Sequence, residues 1–291
     1  MWFASPADVR ERLTAVDYLA DDAIATSVFL ASALGKPLLA EGPAGVGKTQ
    51  LAKAVAAATG ARLIRLQCYE GLDEARALYE WNYKKQLLRI QAGNVQGDGS
   101  GGGQDWNSTH DDIFTEEFLL ERPLLAAIRA ETPTVLLIDE TDKADVEVEG
   151  LLLEILSDYQ VTIPELGTIT AVSRPYVVLT SNAARELSEA LKRRCLYLYL
   201  EYPTPERERD IVLAQVPGIE ADLAEQLART VATLRALELK KAPSIAETID
   251  WANTLLALGR TELDEETAGA TLGVVLKHAS DQARARKELG L

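Results

Sequence analysis

Short apolar runs recur through the first two thirds of the chain, and segments with helical spacing separate them. The runs cover residues 37–41, 62–68, 134–139, 175–181 and 195–202. Continuous apolar strands that alternate with helices are typical of a parallel sheet covered on both faces. The pattern therefore predicts an α/β core built on a five-stranded parallel sheet. Helical spacing in the first thirty residues places helices before the first strand.

The pattern changes after residue 204. From Pro205 onward the chain has only helical periodicity, as in AEQLARTVATLRAL and SIAETIDWANTLLAL. This predicts a core domain of residues 1–204 followed by a smaller all-helical domain of residues 205–291. Within the core, two alternating runs on either side of PELG predict a β-hairpin at residues 160–172.

A glycine-rich segment, GNVQGDGSGGGQDWN at residues 93–107, interrupts the core. It is no linker between domains, because the third predicted strand follows it. A segment so rich in glycine also loses too much entropy on ordering to form a ready-made ligand cradle. We assign it to an insertion at about residues 79–115. Two interpretations stay open: a tip that contacts a client protein, and a tolerated insertion that contacts nothing.

Acidic residues outnumber basic ones by 45 to 30, which gives a formal net charge of -15. Such a charge repels nucleic acid and anionic membranes. The chain has no run of roughly 18 apolar residues and no signal-like start. We therefore expect a cytoplasmic protein with no nucleic-acid partner and no membrane span. Cys68 and Cys195 favour buried thiols, and His110 and His278 are too far apart to suggest a transition-metal site.

The stretch EGPAGVGKTQ contains a complete GxxxxGK[ST] motif between a predicted strand and a predicted helix. In this motif backbone amides turn towards phosphates, the lysine neutralises their charge, and the last hydroxyl binds Mg²⁺. The motif therefore predicts ATP and Mg²⁺ as ligands. Its residues are Gly42, Pro43, Ala44, Gly45, Val46, Gly47, Lys48 and Thr49.

A pair of acidic residues, Asp139 and Glu140, ends the apolar run TVLLID. Asp139 is placed to hold Mg²⁺ through water, as Thr49 does through its hydroxyl, and Glu140 to deprotonate an attacking water. A base beside the Mg²⁺ carboxylate suits hydrolysis better than transfer to a bound acceptor. The pair thus predicts an ATPase that releases ADP and phosphate.

Two further positions each have a functional and a structural interpretation. Asn182 follows the run YVVLTS, at the sheet edge where ligands gather, and would position water near the γ-phosphate. The alternative is an asparagine that closes a turn or caps the next helix. Arg193 and Arg194 end a predicted helix, either as an arginine finger for a neighbouring subunit or as a surface pair that complements the helix dipole.

The order of these motifs, with a helical domain after them, resembles that of AAA+ P-loop ATPases. The hairpin at 160–172 and the insertion before it resemble the MoxR branch. The stretches RLQCYEGLDEARALYEWNY, LLIDETDKAD and SNAARELSEALKRRCLYLYL are similar to those of CoxD-type MoxR proteins. The resemblance covers residues 5–203 well and the helical tail more loosely.

The resemblance implies a homo-oligomeric ring, usually a hexamer, with ATP between neighbours and Arg194 as the finger. It also implies a helical lid, a von Willebrand A domain partner, and a chaperone role in maturing a metalloenzyme of the carbon monoxide dehydrogenase type. A different class of function stays open, an ATP-gated binding scaffold with slow, incidental hydrolysis. A small-molecule kinase is opposed by Glu140 and the finger, and a DNA helicase by the charge.

The chain departs from the resemblance at one position. MoxR relatives often carry an arginine in a Ser-Pro-Arg context that reaches ATP as the second sensor, whereas this chain has Ile245 after Pro243 and Ser244. Either Lys240 or Lys241 replaces that arginine, or the lid responds to ATP without a direct charge contact.

Three aromatic residues, Tyr79, Trp81 and Tyr83, follow the second predicted strand. Ring ATPases place loops that face the central pore in this region, so a contact with substrate is one interpretation. Ordinary packing of amphipathic rings is the other.

Overall fold

The computed structural model describes residues 2–95 and 113–290. Most of the glycine-rich segment, from residue 96 onward, and His110 therefore lie outside the described residues. The strands are β1 (Leu38–Glu41), β2 (Arg62–Gln67), β3 (Tyr79–Trp81), β4 (Leu119–Glu121), β5 (Thr134–Asp139), β6 (Gln160–Ile163), β7 (Gly167–Thr170), β8 (Tyr176–Ser181) and β9 (Leu196–Tyr199).

Five of these strands form one parallel sheet in the order β2-β5-β8-β1-β9, which confirms the predicted α/β core. The last predicted strand extended to residue 202, but β9 ends at Tyr199. Because β9 lies at the sheet edge, it pairs only with β1, whose Glu41 is opposite Tyr199. Beyond Tyr199 the Leu200 N–H still donates to Glu41 O at 2.8 Å, and no strand of the described residues pairs with the segment after it.

Helices cover the sheet and make up the region after residue 204. Among the described residues the α-helices are α1 (Pro6–Thr14), α2 (Asp22–Leu34), α3 (Lys48–Thr59), α4 (Glu74–Ala77), α5 (Tyr83–Val95), α6 (Pro123–Ile128), α7 (Val146–Asp158), α8 (Glu189–Arg194), α9 (Pro205–Gln215), α10 (Ala221–Ala236), α11 (Ile245–Ala257), α12 (Glu265–Thr271) and α13 (Ala279–Leu289). Short 3-10 turns occur at Glu116–Phe118, Thr141–Lys143 and Leu272–Val274. No helix within 2–95 or 113–290 has the length and apolarity needed to cross a bilayer.

The hydrophobic core has three parts. Two clusters lie on the sheet, one containing Leu136 and Ile138 and the other Val135 and Leu137, because alternate residues of the buried strand β5 face opposite sides. The third cluster is built from residues of α9 to α13 and centres on Trp251, whose indole N–H donates to Thr271 Oγ1 at 2.7 Å. The helices after residue 204 thus have a core of their own.

Two small antiparallel sheets of two strands each accompany the large sheet in the described residues. β6 pairs with β7 across the PELG turn, as the alternating pattern predicted. β3 pairs with β4 and frames the insertion, where Trp81 is buried and packs edge-on against Phe114 at 5.1 Å. This supports the packing interpretation for Trp81, whereas Tyr83 is 61% exposed.

Candidate nucleotide-binding site

The phosphate-loop motif connects β1 to α3, and three of its glycines, Gly42, Gly45 and Gly47, have backbone conformations that favour glycine. Gly42 has φ 151° and Gly45 has φ 79°, in the region that side chains disfavour. A Cβ on Gly42 would lie 2.0 Å from Leu200 O, and one on Gly45 would lie 2.1 Å from Ser244 Cβ. Gly45 O also accepts a 3.1 Å bond from Ile245 N–H. The loop is therefore in close contact with the start of α11.

Lys48 is buried at the N-terminus of α3. Its Nζ donates to Gly42 O at 2.7 Å and to Pro43 O at 2.6 Å, so the ammonium lies over the loop itself. Burial lowers the pKa of Lys48, and the nearby carboxylates of Asp142, Asp139 and Glu140 oppose that decrease. The lysine is thus held among acids at the place where the motif requires a cation.

Asp139 is a buried carboxylate with polar partners on both oxygens. Oδ1 accepts from Thr49 Oγ1 at 2.9 Å and from Thr180 Oγ1 at 2.5 Å. Oδ2 pairs with Arg65 Nη2 at 2.6 Å. Such bonds offset the cost of burying a charge. The structure therefore brings the two residues predicted to hold Mg²⁺, Thr49 and Asp139, into direct contact, and their oxygens are the donors that Mg²⁺ prefers.

Glu140 follows Asp139 with a left-handed backbone, φ 56° and ψ 46°. A residue other than glycine adopts this conformation only where its surroundings hold it there. Its N–H donates to Thr180 Oγ1 at 2.9 Å. Its Oε2 accepts from Gln67 Nε2 at 2.8 Å and from Lys143 Nζ at 2.7 Å. The Glu140 bond raises the pKa of Lys143, so this lysine keeps its charge beside the acid.

Arg65 and Gln67 were missed in the sequence analysis. They are alternate residues of β2, so both side chains point to one face of the strand, and β2 lies directly beside β5. The polar residues Arg65 and Gln67 on either side of Leu66 are visible in the sequence. They are identified as parts of the site only once the strand order is known.

A cavity of about 870 Å³ opens above the phosphate loop. The N-terminal segment around Tyr18, the loop, the sheet edge and the helices after residue 204 all contribute walls. The polar residues at its phosphate end are Lys48, Thr49, Arg65, Asp139, Glu140, Thr180 and Asn182. The cavity therefore brings together the predicted loop, both acids and Asn182, and its size suits a nucleotide.

The two residues predicted as the arginine finger lie outside the cavity. Arg193 and Arg194 are exposed at the end of α8, and neither lines the cavity of its own chain. Arg194 donates through Nε to Ser157 Oγ at 2.6 Å and through Nη1 to Ala190 O at 2.9 Å. Its guanidinium is thus anchored at the surface, outside the site formed by this chain.

Neither lysine suggested as a replacement for the second sensor lines the cavity. Lys241 Nζ pairs with Glu247 at 3.1 Å, and the Lys240 N–H donates to Asp281 at 3.2 Å. Among the described residues after 204, the basic side chain at the cavity wall is Arg207, which pairs with Asp21 at 2.7 Å. The suggestion that Lys240 or Lys241 reaches the nucleotide is therefore not supported by this geometry.

Residues 37–195 match the family described as AAA domain (dynein-related subfamily). Over 149 residues the chain is 31% identical to the chaperone protein ClpB 2 of Parasynechococcus marenigrum (strain WH8102), a match that covers 49% of this chain and only 13% of that protein. Among solved structures, two variants of RuvB from Thermotoga maritima are similar, at 17% identity with TM-scores of 0.46 and 0.47. The structural matches cover 71% and 70% of those two chains and 99% of this chain. The family match contains the phosphate loop, both acids, Asn182 and both arginines.

Proposed function

Because this chain belongs to the dynein-related subfamily of AAA domain proteins, we propose that it binds Mg²⁺ and ATP in the cavity above the phosphate loop and hydrolyses ATP there. The observation that carries the proposal is the contact of Thr49 with Asp139, 2.9 Å between their oxygens, with Glu140 next in the chain. It joins the phosphate-binding and the acidic motif in one site. When bound, Mg²⁺ neutralises charge on the phosphates.

Each side chain of the site has a distinct task in this proposal. Lys48 and the loop amides bind the phosphates, while Thr49 and Asp139 hold the Mg²⁺. Glu140 accepts a proton from the attacking water, and Asn182 orients that water. Arg65 neutralises Asp139 on its second oxygen, and Gln67 and Lys143 set the direction of the Glu140 carboxylate.

We further propose that residues 205–291 act as a lid on the nucleotide. Ile245 and Ile249 of α11 and Arg207 of α9 line the cavity, and Ile245 N–H bonds to the phosphate loop. A nucleotide that fills the cavity would contact both the core and these helices, which supports a response of the helices to ATP without the missing arginine.

The exposed position of Arg194 supports a finger that acts on a neighbouring subunit in a ring. We expect Arg194→Ala to lower ATP turnover by about a thousandfold, since such arginines contribute 10³–10⁵ in kcat, with ATP affinity unchanged. Phosphate release and nucleotide binding measure the two effects. Arg260→Ala, an exposed arginine on another surface, is the matched control and should behave as wild type.

Mixing two inactive variants tests whether the finger acts between subunits. An Arg194→Ala subunit keeps Glu140, and a Glu140→Gln subunit keeps Arg194. A ring that contains both has sites with an intact acid and an intact neighbouring finger, so turnover should reappear on mixing. If turnover stays absent although the two variants co-assemble, Arg194 does not act in a neighbour's site.

The resemblance to MoxR proteins of the CoxD type supports a finer proposal, an ATP-driven chaperone that remodels a metalloenzyme with a von Willebrand A domain partner. The 31% identity to a chaperone, ClpB 2, over 149 residues is compatible with remodelling. The test is a pull-down with the Glu140→Gln form kept in ATP. Recovery of a von Willebrand A protein or a metalloenzyme supports the proposal, and recovery of neither favours the ATP-gated scaffold.

A further inference from the structure

Asp142 is a buried carboxylate close to the acidic pair, on the short turn Thr141–Lys143. Its Oδ2 accepts a 3.0 Å hydrogen bond from the backbone N–H of Ala184. Its Oδ1 is also buried and has no hydrogen-bond partner in the part of the chain that the structure describes. Charged residues are rarely fully buried unless they are paired, and a half-satisfied carboxylate lowers the stability of the fold. A contribution to the site would account for its position.

The bond from Ala184 places Asp142 against the turn that carries Asn182. In this turn Ala183 has φ 57°, a conformation that residues with a side chain rarely adopt. Two contacts hold it: Ala183 N–H donates to Ser181 Oγ at 3.0 Å, and Ala184 N–H donates to Asp142. The direction of Asn182 therefore depends on a side chain from the segment after Glu140.

The same two segments are also joined one residue further along. Arg185 donates through Nη2 to Ala144 O at 2.6 Å and pairs with the buried carboxylate of Glu149. Before the turns, Thr180 of β8 accepts from the N–H of Glu140. The hydrogen bond from Ala184 to Asp142 thus lies between two other contacts that join the same segments, and a single substitution of Asp142 removes it.

We propose that Asp142 is a positioning residue that holds Asn182 at the phosphate end of the cavity, in register with Glu140. The inference rests on the proposed ATPase function, in which Asn182 orients the attacking water. Because the phosphate loop is held by Lys48 and by the start of α11, loss of the Asp142 link acts on turnover and leaves ATP binding in place. The acceptor oxygen carries the effect, and the negative charge does not.

Two substitutions at this position separate the acceptor from the charge. We expect Asp142→Ala to lower kcat by tenfold or more, since misplacement by about 1 Å costs up to about a hundredfold. ATP affinity should stay within about twofold, because the loop contacts remain. Asp142→Asn keeps an oxygen that can accept from Ala184 and should retain kcat within about threefold. Glu147→Ala, an exposed acid on the adjoining helix, is the control.

Two outcomes for the Asp142 variants would overturn the inference. If Asp142→Asn is as slow as Asp142→Ala, the charge and not the hydrogen bond is required. If Asp142→Ala weakens ATP binding with kcat unchanged, Asp142 serves the loop and not Asn182. Should the alanine variant fail to fold, as seen by thermal unfolding, the asparagine variant still decides, because a large loss of turnover in that variant contradicts the role of the acceptor.

A double-mutant cycle that combines Asp142→Ala with Asn182→Ala tests whether Asp142 affects kcat through Asn182. If Asp142 acts through Asn182, then Asp142→Ala causes no further loss of kcat in a chain that already carries Asn182→Ala. Additive losses would overturn the inference. If Asn182→Ala alone leaves turnover unchanged, the proposed role of Asn182 in hydrolysis is contradicted. If Asn182→Ala is slow but Asp142→Ala is fully active, only the positioning role of Asp142 is contradicted.

Discussion

Replacing Lys48 by alanine is expected to weaken ATP binding strongly. The ammonium of Lys48 is buried and lies over the phosphate loop, so its loss removes the positive charge nearest the phosphates while the carboxylates of Asp139 and Glu140 remain. We expect the Kd for ATP to rise by at least about a hundredfold, which corresponds to about 2.7 kcal/mol. Calorimetric titration with Mg²⁺ and ATP measures the change directly.

Thermal unfolding provides an independent measurement of the same effect. A ligand at one hundred times its Kd stabilises the folded state by about 2.7 kcal/mol, so ATP should raise the Tm of the wild-type protein but not of Lys48→Ala. Lys287→Ala, an exposed lysine of the last helix, should keep the full ATP-dependent increase. An ATP-dependent increase of wild-type size in Lys48→Ala would contradict nucleotide binding at the phosphate loop.

Replacing Glu140 by glutamine is expected to stop hydrolysis and preserve ATP binding. Glutamine has nearly the same shape but does not accept the proton of the attacking water, and general-base catalysis contributes about 10²–10⁴ in rate. We expect phosphate release to fall by at least about a hundredfold while the Kd for ATP stays within about threefold. Release of labelled phosphate and the calorimetric titration measure the two quantities.

The control for Glu140→Gln is Glu147→Gln, an exposed glutamate on the first turn of α7. It removes the same charge from a residue that does not line the cavity, and it should leave turnover unchanged. Phosphate release at the wild-type rate by Glu140→Gln would exclude Glu140 as the base. Together with Lys48→Ala, the variant separates the binding step from the chemical step.

Much of the fold was predictable because the relevant signals are local. The strands β5 and β8 are continuous runs of buried residues, and burial on both faces removes the alternation that an exposed face would impose. The helix caps also follow local rules: Ser5 and Asp21 accept bonds from the first turns of α1 and α2, and Gly35 ends α2 in a left-handed conformation. The end of β9 was misplaced, because strand length at an edge depends on the neighbouring strand, and the short pair β3 and β4 was not predicted.

The candidate catalytic motifs could also be recognised in the sequence, because the phosphate loop, Asp139 and Glu140 are defined by residue type and spacing within short stretches. The side chains that form hydrogen bonds with these residues could not be recognised in the same way. Arg65 and Gln67 reach the acids from a strand about seventy residues earlier in the chain, and Asp142 reaches Ala184 across 42 residues. No local pattern contains such pairs.

Local residue patterns therefore predict the α/β class, the five strands of the large sheet and the hairpin, together with candidate residues for binding phosphate and Mg²⁺, but they do not predict β3 and β4. The side chains that contact these candidate residues follow from the tertiary arrangement of the strands. The physical reason is the strand order: β2, β5 and β8 lie side by side although long segments separate them in the chain. Hydrogen bonds across neighbouring strand ends depend on that order, so Arg65 meets Asp139, Gln67 meets Glu140, and Asp142 holds the turn of Asn182.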